Sequence, residues 1–140
     1  EFAARHDGYT GVLGDAGIEF NPALKVFADN TEEDAYKAVR AFLESGAELD
    51  GLFAVTDVLA IGALHALADF GRQVPQDVSV VGFDDLPRAA YVNPPLTTIQ
   101  QNIREAGEGL VRTIVGLIEG DDVQSTQMEP VLIVRQSCGA

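Results

Sequence analysis

Tryptophan is missing from this 140-residue chain, and cysteine and methionine occur once each. The single thiol, Cys138, excludes an intramolecular disulfide and a cysteine-based metal cluster, and it fits a reducing, cytoplasmic setting. Basic residues are scarce, nine Lys and Arg against 22 Asp and Glu, for a formal net charge of -13. Such a surface repels phosphate backbones, so the chain by itself is not expected to bind DNA or RNA. No apolar run approaches the roughly 18 residues a membrane helix needs, and no membrane partner is expected. Glycine-rich phosphate loops of the GxGxxG or GxxxxGK[ST] type, HExxH and GxSxG are all absent. Catalysis, a metal and a cofactor therefore have no positive support. The chain opens on EFAARHDGYTGVL, with neither an initiating methionine nor a signal-peptide pattern, and reads as a piece of a longer protein.

The composition that remains, 46% apolar and 22% charged without biased tracts, is that of one ordinary globular domain. Phe2, Tyr9, Val12, Leu13 and Ala16 recur at helical spacing, which predicts a helix from Glu1 to about Ala16, closed by Gly17. Leu24 to Ala28 reads as a short strand. Thr31 and Asp34 form a capping pair for a helix whose apolar face carries Ala35, Val39, Phe42 and Leu43 and which Gly46 ends. Leu52 to Val55 is a second strand. Thr56-Asp57 then caps a helix running to about Phe70 that is apolar almost all round. Val78, Val80, Val81 and Phe83 suit a strand buried on both faces of a parallel sheet. A Pro-Pro corner and a further extended piece follow. Asn102 and Glu105 cap an amphipathic helix with Ile103, Ala106, Leu110, Ile114 and Leu117 along one stripe and Gly120 at its end, and Val131 to Val134 is the last strand. Helices alternating with strands indicate an α/β architecture with a mostly parallel sheet flanked by helices.

The chemistry concentrates in VPQDVSVVGFDDLPRAAYVNPPLTTIQQ, residues 74–101, where an apolar strand ends on Asp84 and Asp85. Open α/β sheets bind ligands at the carboxyl ends of their strands, where a carboxylate can take two hydroxyl hydrogen bonds from a sugar. The plainer alternative is that these carboxylates cap the turn at Pro87 to Tyr91. Thr56 and Asp57 occupy the analogous place on another strand, with capping the expected role of Asp57 and either role open to Thr56. Arg5 can clamp hydroxyls or a carboxylate with its planar fork, or serve as a surface charge. His65, set among Ala63, Leu64, Ala66 and Leu67, reads as a core or interface histidine.

VPQDVSVVGFDD, PPLTTIQQ, LFAVTDVLAIGALHAL with its GRQVP continuation, and the closing EPVLIVRQS together resemble the lactose/galactose repressor (LacI/GalR) family over essentially the whole chain. The resemblance implies a periplasmic-binding-protein-like (type I) fold, here an incomplete two-lobed domain. Residues 1–98 would form the C-terminal lobe, 99–127 the crossover and a helix of the N-terminal lobe, and 128–140 the returning strand and tail. It implies a small-molecule effector, a sugar or polyol, and a homodimer formed through the C-terminal lobe by the helix bearing Leu59, Ala63, Leu67 and Phe70. DNA would be bound only through an N-terminal domain that this chain lacks. Position by position, the effector-clamping arginine matches Arg5, the strand-end aspartate Asp84, and the glutamine after TTI Gln101. Asn30 stands where several sugar-binding members place an aromatic ring, and Thr56 where many have asparagine. A periplasmic sugar-binding protein of a transport system is the alternative function on the same fold.

Overall fold

The computed structural model describes residues 2–140; the start of the first helix, expected at Glu1, lies outside them. Eight regular elements follow in order: α1 (Phe2–Asp15), α2 (Glu32–Glu44), β1 (Gly51–Phe53), α3 (Asp57–Asp69), β2 (Ser79–Asp84), β3 (Thr97–Gln100), α4 (Ile103–Glu119) and β4 (Val131–Ile133). Short 3-10 turns occupy Pro22–Leu24 and Pro87–Ala90. The strands form one sheet in the order β1-β2-β3-β4, parallel except for β4, which runs antiparallel to β3.

Sequence signals for the helix ends are met by side chains. Thr31 Oγ1 accepts from the Asp34 amide at 3.1 Å and donates to its carboxylate at 2.7 Å. Asn102 pairs in the same reciprocal way with Glu105. Each satisfies a backbone donor that the first helical turn leaves without an internal partner.

The core lies between β2 and the α2–α3 pair. Val39, Leu43, Ile61, Leu64, Leu67, Val78, Val80 and Leu96 are buried there. Helices α2 and α3 meet closely because Gly62 has no side chain; a Cβ there would run into the Glu32 carbonyl and stand 2.7 Å from the Ala35 Cβ. Along β2 the residues alternate, with Val80 and Gly82 buried and Val81 and Phe83 only half-buried, so burial is complete on one face rather than both. The second face is covered thinly by α1, none of whose residues is buried. Tyr9 stacks on Phe53 at 6.0 Å between centroids.

The expected strand at Leu24 to Ala28 does not form. Pro22–Leu24 is a 3-10 turn, and the segment after it runs unpaired with Phe27 largely exposed. β-propensity yields a strand only where a neighbouring strand supplies the hydrogen bonds, and none lies beside this segment among the described residues.

Candidate functional site

The three parallel strands end side by side, and the polar residues that follow them converge. Arg5 reaches in from the first turns of α1. Its Nη1 donates to the Val55 carbonyl, just beyond β1, at 2.5 Å. Its Nη2 lies 3.4 Å from Asp84 Oδ1 at the end of β2, and the guanidinium sits 3.7 Å from the Phe83 ring centroid. Gln101, one residue past β3, donates from Nε2 to the same Asp84 oxygen at 2.9 Å. Arg5, Asp84 and Gln101 are thus one contiguous cluster, and Arg5 is a deeply set group, its side chain only 8% exposed. On the β1 side, Thr56 Oγ1 donates to Asn30 Oδ1 at 2.7 Å and also accepts the Leu59 amide as N-cap of α3. Of the two roles left open for Thr56, capping is the one seen, and the residue is buried at 3% exposure.

Asp84 and Asp85 have positive φ, 117° and 51°, a region non-glycine residues seldom adopt and in which aspartate is among the better tolerated. This turn sends the two carboxylates to different partners. Asp85 accepts from Arg135 Nη2 at 2.7 Å and from Gln100 Nε2 at 2.7 Å. It is a tie to the segment after β4 rather than a cap on the Pro87–Ala90 turn, which has no side-chain cap.

Asp57 corrects the expectation of a helix cap more sharply, since Thr56 is the N-cap and Asp57 is fully buried. Its Oδ2 accepts the Leu86 amide at 2.8 Å and its Oδ1 the Thr98 hydroxyl at 2.5 Å, fastening α3 to the ends of β2 and β3. Burial pushes the carboxyl above its ordinary value of 3.8, opposed by the Thr98 and Leu86 hydrogen bonds and assisted by the charges of Asp84 and Asp85. Gly82 makes room for it, because a Cβ there would collide with Asp57 Oδ1.

Two further residues escaped the sequence reading. Arg135 also donates to the Leu96 carbonyl at 2.7 Å. Ser137, fully buried, donates to the Val80 carbonyl at 2.6 Å and accepts the Thr97 amide at 2.8 Å, pinning the tail between β2 and β3. The RQS of the closing motif was the available signal, but no local rule assigns it these partners.

Of the four positions expected at a dimer face, Ala63 and Leu67 are 1% and 0% exposed inside the single chain. Their side chains are committed to the core and have no surface for a second copy. Leu59 is half-buried and Phe70 is 41% exposed, so those two retain surface. His65 is exposed, not in the core. Among the described residues, no group of acidic, histidine or cysteine side chains could hold a metal ion. No helix there is long and apolar enough to cross a membrane.

The cluster stands at the carboxyl ends of adjacent parallel strands, the place where open α/β sheets take their ligands. The model of the periplasmic binding protein-like domain matches residues 2–138. The HTH-type transcriptional regulator CelR of Thermobifida fusca is 34% identical over 135 residues, covering 95% of this chain and 40% of that protein. Among solved structures, a sugar-binding transcriptional regulator of the LacI family from Escherichia coli, complexed with phosphate, superposes with a TM-score of 0.88 at 33% identity over 95% of this chain and 48% of that one. A CelR–cellobiose complex gives 0.86 at 34% identity, over 95% of this chain and 41% of that one. This chain belongs to the periplasmic binding protein-like domain family, and the regulators it is similar to include members of the LacI family. It spans about two fifths of the length of the curated relatives it matches.

Proposed function

We propose that this chain is the effector-sensing and dimerisation portion of a DNA-binding transcriptional regulator working in the cytoplasm. Its ligand is a small polyhydroxylated molecule, held by Arg5, Asp84 and Gln101, with Thr56 and Asn30 along the same wall. The observation that carries this reading is the meeting of Arg5, from the first helix, with Asp84 and Gln101 at the ends of two strands. The names of the relatives, transcriptional regulators rather than transport proteins or enzymes, favour it over a solute-binding role on the same fold. Residues 1–98 would make one lobe, 99–127 a crossover and helix of a second, and 128–140 the return. The apolar stripe of α4, with Leu110, Ile114 and Leu117 exposed, fits a helix that packs on a lobe outside this chain. Leu59 and Phe70 would stand at a homodimer face.

The effector, bound between lobes, would favour one lobe arrangement and shift operator affinity only by its differential affinity for the two states. In a regulator carrying this chain, Asp84→Ala should abolish the effector response in an operator-binding assay and leave operator binding intact. A response retained at unchanged effector concentration would remove Asp84 from the site.

A further inference from the structure

Both connections between the sheet and α4 are held by one two-residue turn. The chain leaves β3 through Gln100 and Gln101, and after β4 it returns to Arg135. Asp84 accepts from the Gln101 amide at 2.9 Å and Asp85 from the Gln100 amide at 2.7 Å. Asp85 also holds the return, accepting from Arg135 Nη2 at 2.7 Å. The positive φ of both aspartates lets neighbouring carboxylates diverge in this way. Arg135 is in turn fixed to the start of β3, its backbone amide donating to Thr97 Oγ1 and its Nη1 to the Leu96 carbonyl. The Asp85–Arg135 pair is largely shielded, its side chains 12% and 19% exposed. Salt screens such a pair little, and losing one partner strands the other charge. Helix α4 has no comparable anchor. Among the described residues no hydrogen bond or ion pair joins it to another element, and Gly116 is its only buried residue. A load on α4 therefore reaches the sheet through Gln100, Gln101 and Arg135.

We infer that Asp85 is a positioning residue: by gripping the outgoing strand and the return together, it fixes the angle at which α4 leaves the sheet. The turn that offers Asp84 to a ligand and the hinge to α4 are then one unit. A ligand that prefers one setting of Asp84 thereby selects one setting of α4. The inference rests on the functional reading above and adds how occupancy of its site is passed to α4.

The test is a spin-label distance measurement between α4 and α2 in the chain, diluted with unlabelled copies. Labels go on cysteines at the exposed positions Glu119 and Lys37, in a Cys138→Ser background. The expected result is a single narrow distance, lost in Asp85→Asn and in Arg135→Gln, with the double variant no broader than the broader single because the two act as one tie. Asparagine tolerates the positive φ of Asp85, so Asp85→Asn tests the tie without straining the turn. Gln100→Ala, at an exposed position, cuts the outgoing tie alone and is the further variant should the others fail to fold; it too should lose the narrow distance. Glu32→Gln, which breaks the ion pair between α2 and Arg88, should keep it. A role in stability alone would lower a denaturation midpoint and leave this distance unmoved. A narrow distance kept in the folded variants would overturn the inference, as would a broad one in the unmodified chain or equal broadening in Glu32→Gln. No ligand enters the measurement. A distance lost as expected in a regulator whose Asp84→Ala variant keeps its effector response would count against the reading of Asp84 alone; a response lost there beside an unmoved distance would count against the tie alone.

Discussion

Helices α3 and α4 both begin on a well-made cap, yet they meet opposite fates. Helix α3 is apolar almost all round and nearly vanishes into the protein, with Ala60, Ile61, Ala63, Leu64, Ala66 and Leu67 all at or below 4% exposure. Helix α4 has the cleaner amphipathic pattern, but Gly116 is its only buried residue, while Leu110, Ile114 and Leu117 are more than half exposed. An apolar stripe announces that a helix seeks a partner, not that the partner lies in the same chain. For α3 the partners are α2 and β2. For α4 they are absent among the described residues.

The contrast can be broken by substitution. Leu67→Ala should be the most damaging change, costing about 2–5 kcal/mol as expected for a leucine truncated in a closed core, measured by urea denaturation. Leu117→Ala in α4 should fall within about 0.5 kcal/mol of wild type, as surface changes do; equal losses at the two sites would end the comparison. Gly62→Ala, forced against α2, should cost about 1–3 kcal/mol through overpacking. Asp57→Ala strands the Leu86 amide and the Thr98 hydroxyl and should cost roughly 1–3 kcal/mol by the same assay.

A gentler change, Asp57→Asn, sharpens the electrostatic side. Because the folded carboxyl is pushed above 3.8 chiefly by burial, the native state binds more protons than the unfolded chain between that value and the raised one. Stability should therefore decline as pH climbs through this window, and Asp57→Asn should flatten the decline. Denaturation midpoints across a pH series would show it. The smallest effect on folding belongs to Ile114→Gln with Leu117→Gln. Their midpoints should barely move, but sedimentation should show less self-association as the uncovered stripe becomes polar.

What was legible in the sequence was whatever local physics decides. The caps at Thr31, Thr56 and Asn102, the β2 strand and the closing glycines each act within a few residues. Leu24 to Ala28 misled because a strand's existence depends on a neighbour that its own residues do not name. Asp57 looked like a cap because its partners, Leu86 and Thr98, lie 29 and 41 residues away. Arg135 lies 50 residues from Asp85. Gln101 came only from resemblance to a family; the residues themselves offered Asp84 as a carboxylate at a strand end and Arg5 as either a clamp or a surface charge. Ala63 and Leu67 were assigned to a dimer face because a fully apolar helix does not say which of its sides the chain itself will cover.

The central claim is that the cluster at the strand ends binds a small polyhydroxylated effector. Its most direct test is thermal unfolding of a regulator carrying this chain in the presence of a panel of neutral sugars, cellobiose included, beside its Asp84→Ala variant. A ligand at about 100 times its Kd adds about 2.7 kcal/mol to the folded state it binds. The expected result is that at least one sugar raises the wild-type midpoint and leaves Asp84→Ala unmoved. A sugar that stabilises both proteins equally would contradict the account.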